Sequence, residues 1–343
     1  IRSKFGGVFS CRPLTPPPWM VRGARQVWHW QWLRLMSGLG PADSAGRYRR
    51  PEGGFEQLPA IPSDARQPGA HVLIVGRSCP WAHRAWLVWA LRGLAESIEL
   101  LVVDPDPAAG RWRFPEPWEG CSTLADLYRQ SGAPATVRAT VPVLYSRQQK
   151  KVLVGESARL IELLNQWPSH GPDLDPTDQQ TVTAQWRQML QGNVNDGVYR
   201  CGFARNQSAY NQAEQALFQT LDQAEANLSA TAAAQTKPWL SGSKPSLADV
   251  QLFPTLIRME LVYAPLFGVS RKPLWQLPAL WEWRARFHDL PGVADTCDAE
   301  AWQRDYFGAL FPLHPSGIVP AGPELATLVG ACPISRHHGG GTT

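Results

Sequence analysis

Apolar and polar positions follow two regimes along the chain. Between residues 68 and 168, short apolar blocks are interspersed with helical periods; beyond residue 175 the helical period takes over. Val72-Leu73-Ile74-Val75 is an unbroken apolar run, as expected of a strand covered on both faces. Ala85, Leu87, Val88, Leu91 and Leu94 recur at helical spacing, predicting a helix over 81–94 with Gly93 near its end. Ile98 to Val103 predicts a second buried strand. The aromatic, Pro-bearing stretch 112–120 predicts a loop, followed by a short helix over 122–130. Two short strands, 141–145 and 152–154, flank the polar turn 146–150, and 156–164 is an amphipathic helix.

That order, β-α-β-α-β-β-α, is a thioredoxin-like layout within an α+β chain. A linker over 167–174 leads to helices predicted at 176–198, 207–231, 246–264, 278–289 and 298–309. Asp175-Pro176-Thr177-Asp178 combines a capping residue, a first-turn proline and an acid, and predicts the first helix start. Ser246 with Asp249 three residues later predicts a capping box. The flanks differ from both regions. Residues 1–67 are rich in Pro, Gly and Arg and predict an extended arm, partly docked, with one short helix around Val27–Leu33. Residues 311–343 predict a coil and tail, where His337-His338 is more naturally a tail than a metal site. The expected domains are 68–168, thioredoxin-like, and 175–310, all helical.

Composition narrows the function classes. With 44% hydrophobic and 18% charged residues in 343, the chain can bury a core. A net charge of +4 without dense basic runs gives no case for a nucleic-acid partner. No apolar run approaches the ~20 residues that cross a bilayer. Six scattered cysteines, at 11, 79, 121, 201, 297 and 332, form neither a Cys-x-x-Cys pair nor a zinc-ligand spacing. A reducing, cytoplasmic setting without metal is expected. The 16 tryptophans lie mostly in predicted helices and are read mainly as packing residues.

The chemistry centres on Cys79, between the first strand and the first helix of the 68–168 region. Pro80 at the first helical position places Cys79 at the N-cap, where free N–H groups and the helix dipole favour a thiolate. A buried, inert thiol is the competing reading. Pro142 is the second signal, because proline inside a strand needs a reason. A cis Val141–Pro142 bond would leave Val141's backbone groups for an extended peptide. Glu156-Ser157 opens a helix and offers N–H groups and a hydroxyl to a carboxylate, with Glu156 available to a ligand amino group. Sulfur at Cys79, peptide at Val141 and carboxylate at Ser157 together describe glutathione.

The motifs Cys79-Pro80-Trp81-Ala82-His83-Arg84, Val141-Pro142-Val143-Leu144, Glu156-Ser157, Asn195 to Ala204, Leu256-Ile257-Arg258 with Val262-Tyr263, and His314 to Pro320 run in one order. In this the chain resembles the cysteine-type glutathione transferases, specifically the glutathionyl-hydroquinone reductases of the xi class, over roughly residues 68–323. The resemblance implies a glutathione-transferase fold, a homodimer, and a reaction on glutathionylated aromatic small molecules. It implies reductive removal of glutathione from a glutathionyl-hydroquinone through a Cys79–glutathione disulfide, with a second glutathione as co-substrate. Ala82 leaves Cys79 a monothiol, which fits that need. Tyr199, Tyr263 and Tyr306 fall at the positions of the family's substrate-binding and proton-donating tyrosines, and Trp112 at a residue that stacks on glutathione. Departures are the shifted loop around Gly110-Arg111-Trp112-Arg113-Phe114, Phe307 where a second tyrosine is common, and Arg77, which adds positive charge near the thiol. An omega-like thiol transferase or dehydroascorbate reductase, and a non-catalytic assembly module on the same fold, are the alternatives.

Overall fold

The computed structural model describes residues 15–51, 53–106, 110–232, 238–310 and 317–334. Cys11, the His314-Pro315-Ser316 part of the last motif, and His337-His338 lie outside them. The chain divides into a unit that ends at Pro41 and one that begins at Ala42. In the first unit, α1 (Pro18–Leu39) is a 22-residue helix, longer than the short helix expected around Val27–Leu33. Pro18 occupies its first position, where a missing N–H costs nothing, and the Gly40 N–H returns to the Met36 carbonyl at its end.

The second unit is built on a six-stranded mixed sheet. Its strands are β1 (His71–Gly76), β2 (Ile98–Asp106), β3 (Arg111–Trp118), β4 (Cys121–Thr123), β5 (Val143–Ser146) and β6 (Lys151–Val154), in the order β4-β3-β2-β1-β5-β6. Central β1 is buried at every position, which explains its unbroken apolar run. It pairs parallel with β2, His71 opposite Ile98, and antiparallel with β5, Ile74 opposite Val143. The helices α2 (Pro80–Leu91), α3 (Leu124–Gln130) and α4 (Ser157–Gln166) complete this layer.

The expected loop over 112–120 is instead the strand β3 and the start of a hairpin with β4. Arg111, Trp112 and Arg113 pair with Asp106, Pro105 and Asp104 of β2. Pro115 and Pro117 fall where the β3–β4 register shifts, so their missing N–H groups interrupt no regular ladder. The observed order is therefore β-α-β-β-β-α-β-β-α.

The rest is helical: α5 (Gln180–Met189), α6 (Asp196–Gly202), α7 (Gln207–Ala232), α8 (Leu247–Leu256), α9 (Ala264–Phe267), α10 (Pro278–His288), α11 (Ala299–Asp305) and α12 (Leu325–Leu328). The Ser246–Asp249 capping box forms and is buried. Asp249 accepts from the Ser246 N–H at 2.8 Å and from the Trp283 indole at 2.8 Å. The start expected at Asp175 is displaced: residues 176–179 make a turn, Gln179 N–H to Pro176 C=O, and α5 begins at Gln180. Asp175 is drawn the other way, its N–H donated to the Asp173 carboxylate.

Three of the long helices expected from periodicity are broken by π-turns, at Leu190–Asn195, Met259–Tyr263 and Tyr306–Leu310. A π-turn adds a residue to the helical repeat and re-aims the side chains after it. No described helix is long and apolar enough to cross a membrane.

Residues 42–51 and 53–67, from the later part of the expected arm, lie along this unit as a strap. The strap's carbonyls accept from both halves: Gly46 from the Arg205 N–H, Phe55 from the Gly155 N–H and Ala65 from the Trp167 indole. Tyr48 meets Phe203 edge-on at 5.2 Å, and Phe55 meets Tyr128 likewise at 5.2 Å.

Candidate active site

Cys79 sits where the sequence places it, at the N-cap of α2 and immediately after the turn that leaves β1. Its N–H returns to the Gly76 carbonyl at 3.1 Å, and its Sγ lies 3.6 Å from the Val141 carbonyl. The Val141–Pro142 bond is cis, as expected. Thus Cys79 and Val141, 62 residues apart, face one another across the end of the sheet.

The thiol does not show the depressed pKa expected of its position. Burial pushes it up, and this outweighs the Ala82 and Trp81 N–H groups and then the Arg258 and Arg50 guanidiniums, which act in the other direction. The N-cap favours the thiolate, but desolvation of the half-buried sulfur opposes it more strongly. Arg77 contributes less than expected: its guanidinium is directed at Asp298, 3.7 Å away.

Arg258 has the better placement for charge near the sulfur. It is fully buried, donates to the Arg77 carbonyl at 3.3 Å, and lies 4.0 Å over the Trp302 ring. A further N–H meets His83 Nδ1 at 2.9 Å. Because a guanidinium can only donate, Nδ1 accepts and Nε2 carries the proton, donated to Thr296 Oγ1 at 2.7 Å. Thr296 in turn donates to the Val293 carbonyl at 2.6 Å. Burial, followed by the Arg258 charge, holds His83 well below the usual imidazole range, so it is neutral. Arg258 thereby grips the chain two residues before Cys79 and four after it.

Trp112 reaches this turn from β3, half-buried. Its ring lies against Gly76, where a built Cβ would come within 2.5 Å of the indole. The glycine is required for close approach. The shifted register around Gly110 therefore still brings Trp112 beside the cysteine turn.

Glu156 is the N-cap of α4, and its Oε1 accepts from the Ala158 N–H at 3.2 Å and from the Ser157 hydroxyl at 3.3 Å. The groups expected to receive a ligand carboxylate are thus engaged by Glu156's own. Glu156 Oε2 faces Arg50 of the strap at 3.6 Å.

The tyrosines come together from three helices. Tyr199 is on α6, four residues beyond one π-turn; Tyr263 ends the second and Tyr306 begins the third. Their hydroxyls are linked, Tyr199 to Tyr306 at 2.6 Å and Tyr263 to Tyr306 at 3.4 Å. All three are buried, and Tyr199 stacks on Trp81, two residues after Cys79, at 5.9 Å between centroids. Burial raises all three phenols above their ordinary pKa, and those of Tyr199 and Tyr306 well above it, so they are proton-bearing donors at neutral pH. The Cys79 charge adds to the rise at Tyr199 and Tyr263. Phe307 is itself buried. The structure brings Val141, Pro142 and Trp112 to the cysteine turn, links Glu156-Ser157 to it through Arg50 over Trp81, and gathers the phenols, with Tyr199 stacked on Trp81.

Sequence reasoning missed Arg50, Asp196 and Arg258 as members of this neighbourhood. Asp196 and Arg258 stood in motifs, but nothing local marked either as a charged group placed beside the site, and nothing marked Arg258 as buried.

Comparison with known proteins agrees with the fold. Residues 78–167 match the family described as "Glutathione S-transferase, N-terminal domain", and 207–286 match "Glutathione S-transferase, C-terminal domain". Glutathionyl-hydroquinone reductase PcpF of Sphingobium chlorophenolicum is 30% identical, over 87% of this chain and 94% of that protein. Glutathionyl-hydroquinone reductase YqjG of Escherichia coli is 26% identical, over 87% and 93%. The crystal structure of the Xi glutathione S-transferase of Phanerochaete chrysosporium superposes with a TM-score of 0.75 at 28% identity, over 82% of this chain and 94% of that one. The glutathione-bound structure of YqjG superposes with a TM-score of 0.70 at 27% identity, over 79% and 90%.

Proposed function

The chain belongs to the glutathionyl-hydroquinone reductases within the glutathione S-transferase superfamily, and on that premise we propose how its residues divide the reaction. Glutathione is the co-substrate, lying along the end of the sheet with its sulfur at Cys79, its backbone at Val141 and its glutamyl end at Glu156-Ser157. Trp112 covers it from β3. The aromatic part of a glutathionylated hydroquinone extends from the sulfur past Trp81 to Tyr199, Tyr263 and Tyr306.

The Cys79 thiolate attacks the substrate's thioether sulfur. The sulfur–sulfur bond forms as the carbon–sulfur bond breaks, and the electron pair goes to the aromatic carbon, which takes a proton. A second glutathione thiolate then attacks the Cys79–glutathione disulfide, releasing oxidised glutathione and restoring the Cys79 thiolate. In sum, the arene is reduced, two glutathiones are oxidised to one disulfide, and no other reductant is needed. A thiol of raised pKa gives less thiolate at neutral pH, but each thiolate is a stronger nucleophile, since nucleophilicity rises with pKa. Among the phenols, Tyr199 is assigned the proton transfer, and Tyr263 and Tyr306 hold the hydroquinone oxygens and orient Tyr199.

The observation that carries this reading is the linked phenol cluster next to the cysteine, joined to it through Trp81. A thiol transferase acting on disulfides alone has no use for three converging hydroxyls. The test is release of hydroquinone from a glutathionyl-hydroquinone by the wild type and by Cys79→Ala. Turnover is expected from the first and a loss of at least about 10³-fold in the second. Full activity in Cys79→Ala would overturn the mechanism. A wild type that reduces glutathione mixed disulfides but releases no hydroquinone would favour the omega-like alternative.

A further inference from the structure

The strap precedes both matched family regions, yet it brings one side chain into the glutathione end of the site. Arg50 lies between the strap's two aromatic anchors, Tyr48 on Phe203 and Phe55 on Tyr128. Its guanidinium stacks on the face of Trp81, 3.9 Å from the ring centroid, with Arg84 4.4 Å from the same centroid. One nitrogen is 3.6 Å from Glu156 Oε2, in the sheet layer, and another is 3.9 Å from Asp196 Oδ1, in the helical layer. Arg50 thus bridges the two layers, beside the carboxylate assigned to the ligand's amino group.

Both ion pairs are longer than a hydrogen bond, and the side chain keeps 31% of its exposure. Asp196 Oδ1 is buried without a hydrogen-bond partner. The guanidinium is held in place by stacking and by long-range attraction, and its hydrogen-bonding fork is not committed to either acid. Such a fork suits a planar carboxylate. The glutamyl end of glutathione presents a carboxylate and an ammonium on one carbon. An ammonium bound at Glu156 brings that carboxylate to the Arg50 side of the acid.

We infer that Arg50 is a glutathione-binding residue supplied by the strap, which releases Glu156 to the ligand's ammonium and takes the glutamyl α-carboxylate in exchange. The inference rests on the glutathione site proposed above. It gives the strap a role: its anchors on both layers fix where the guanidinium stands. It also gives a second acceptor to the Ser157 hydroxyl and the Ala158 N–H, which donate to Glu156 Oε1. Once the ammonium draws Glu156 and Arg50 apart, those donors and the guanidinium converge on one incoming carboxylate.

The test compares glutathione with 4-aminobutyryl-Cys-Gly, which keeps the amine and lacks the glutamyl carboxylate, by calorimetric titration of the wild type, Arg50→Met and Arg50→Lys. Loss of one charge-assisted bond predicts about tenfold weaker glutathione binding in Arg50→Met. The analogue should bind that variant as well as it binds the wild type, or better, because Glu156 no longer has to leave a cation. Arg50→Lys, which keeps the charge and loses the fork, should fall between. Unchanged glutathione affinity in Arg50→Met would overturn the inference, as would equal losses for both ligands, the sign of a merely structural role. A wild type that binds neither ligand would overturn the glutathione site itself.

Discussion

The two ends of the site are built on opposite electrostatic terms. Around the sulfur, charged groups converge on partly open ground: Glu156 and Arg50 keep about a quarter to a third of their exposure, and buried Arg258 braces the turn. Around the phenols, the neighbours are aromatic. Tyr199, Tyr263, Phe203, Phe267 and Tyr306 lie within 6.2 Å of one another in successive ring pairs, and burial keeps the hydroxyls protonated. The first end can hold a zwitterionic peptide and tune a thiol; the second can hold a neutral aromatic and deliver a proton. A molecule bearing both, a glutathionylated hydroquinone, uses the whole site, and a simple disulfide uses only half.

That difference can be sharpened by separating the two ends. Tyr199→Phe removes one hydroxyl and leaves the ring against Trp81. It should lower hydroquinone release by about 10²-fold, the low end for a positioned proton donor. Reduction of a small glutathione mixed disulfide, followed in the same preparation, should change by less than about threefold. Parallel losses in both activities would erase the distinction between the ends.

Arg258→Met tests the sulfur end through the thiol, although the same charge also lowers the Tyr263 and Tyr306 phenols. The Cys79 pKa is raised, so its alkylation by iodoacetamide should be slow at neutral pH and climb through and above the ordinary thiol range. Removing the Arg258 charge, which favours the thiolate, should move that profile further upward and slow alkylation at a fixed pH below it. The linkage has a definite sign. Below the unfolded thiol's pKa both states are protonated and Cys79 adds no pH dependence. As pH rises through that value and up to the folded one, the unfolded chain ionises first and stability falls. A profile that moved downward in Arg258→Met would contradict the assignment of its charge.

Gly76→Ala is the mildest of these changes. The added Cβ has no room beside the Trp112 ring, so the indole must shift off the turn. Glutathione affinity should weaken severalfold, about 1 kcal/mol, with hydroquinone release at saturating glutathione less affected. Equal affinity in titrations of both proteins would remove Trp112 from the glutathione site.

The sulfur end was the more legible in the sequence, for a physical reason. Cys79, Val141-Pro142 and Glu156-Ser157 each lie at a strand end or a helix start, where a local rule ties residue type to backbone position. The sheet that gathers them is announced by the run Val72–Val75. The tyrosines could be named only through resemblance, because helical periodicity carried across 190–195, 259–263 and 306–310 gives the wrong phase after each π-turn. The β3 strand was read as a loop because Pro115 and Pro117 mask the pairing made by Arg111 to Arg113. Arg50 and Arg258 left no local signal. One acts from a strap that looks like coil, and the other from a helix end where an arginine is ordinarily solvated.

The proposal meets its most direct test in a single turnover. Wild-type protein is mixed with one equivalent of a glutathionyl-hydroquinone in the absence of free glutathione, and its intact mass and the released hydroquinone are followed together. The account predicts one hydroquinone per chain and one glutathione bound through a disulfide at Cys79, discharged as oxidised glutathione when glutathione is added. Hydroquinone released without the Cys79 adduct, or an adduct formed without hydroquinone, would contradict it.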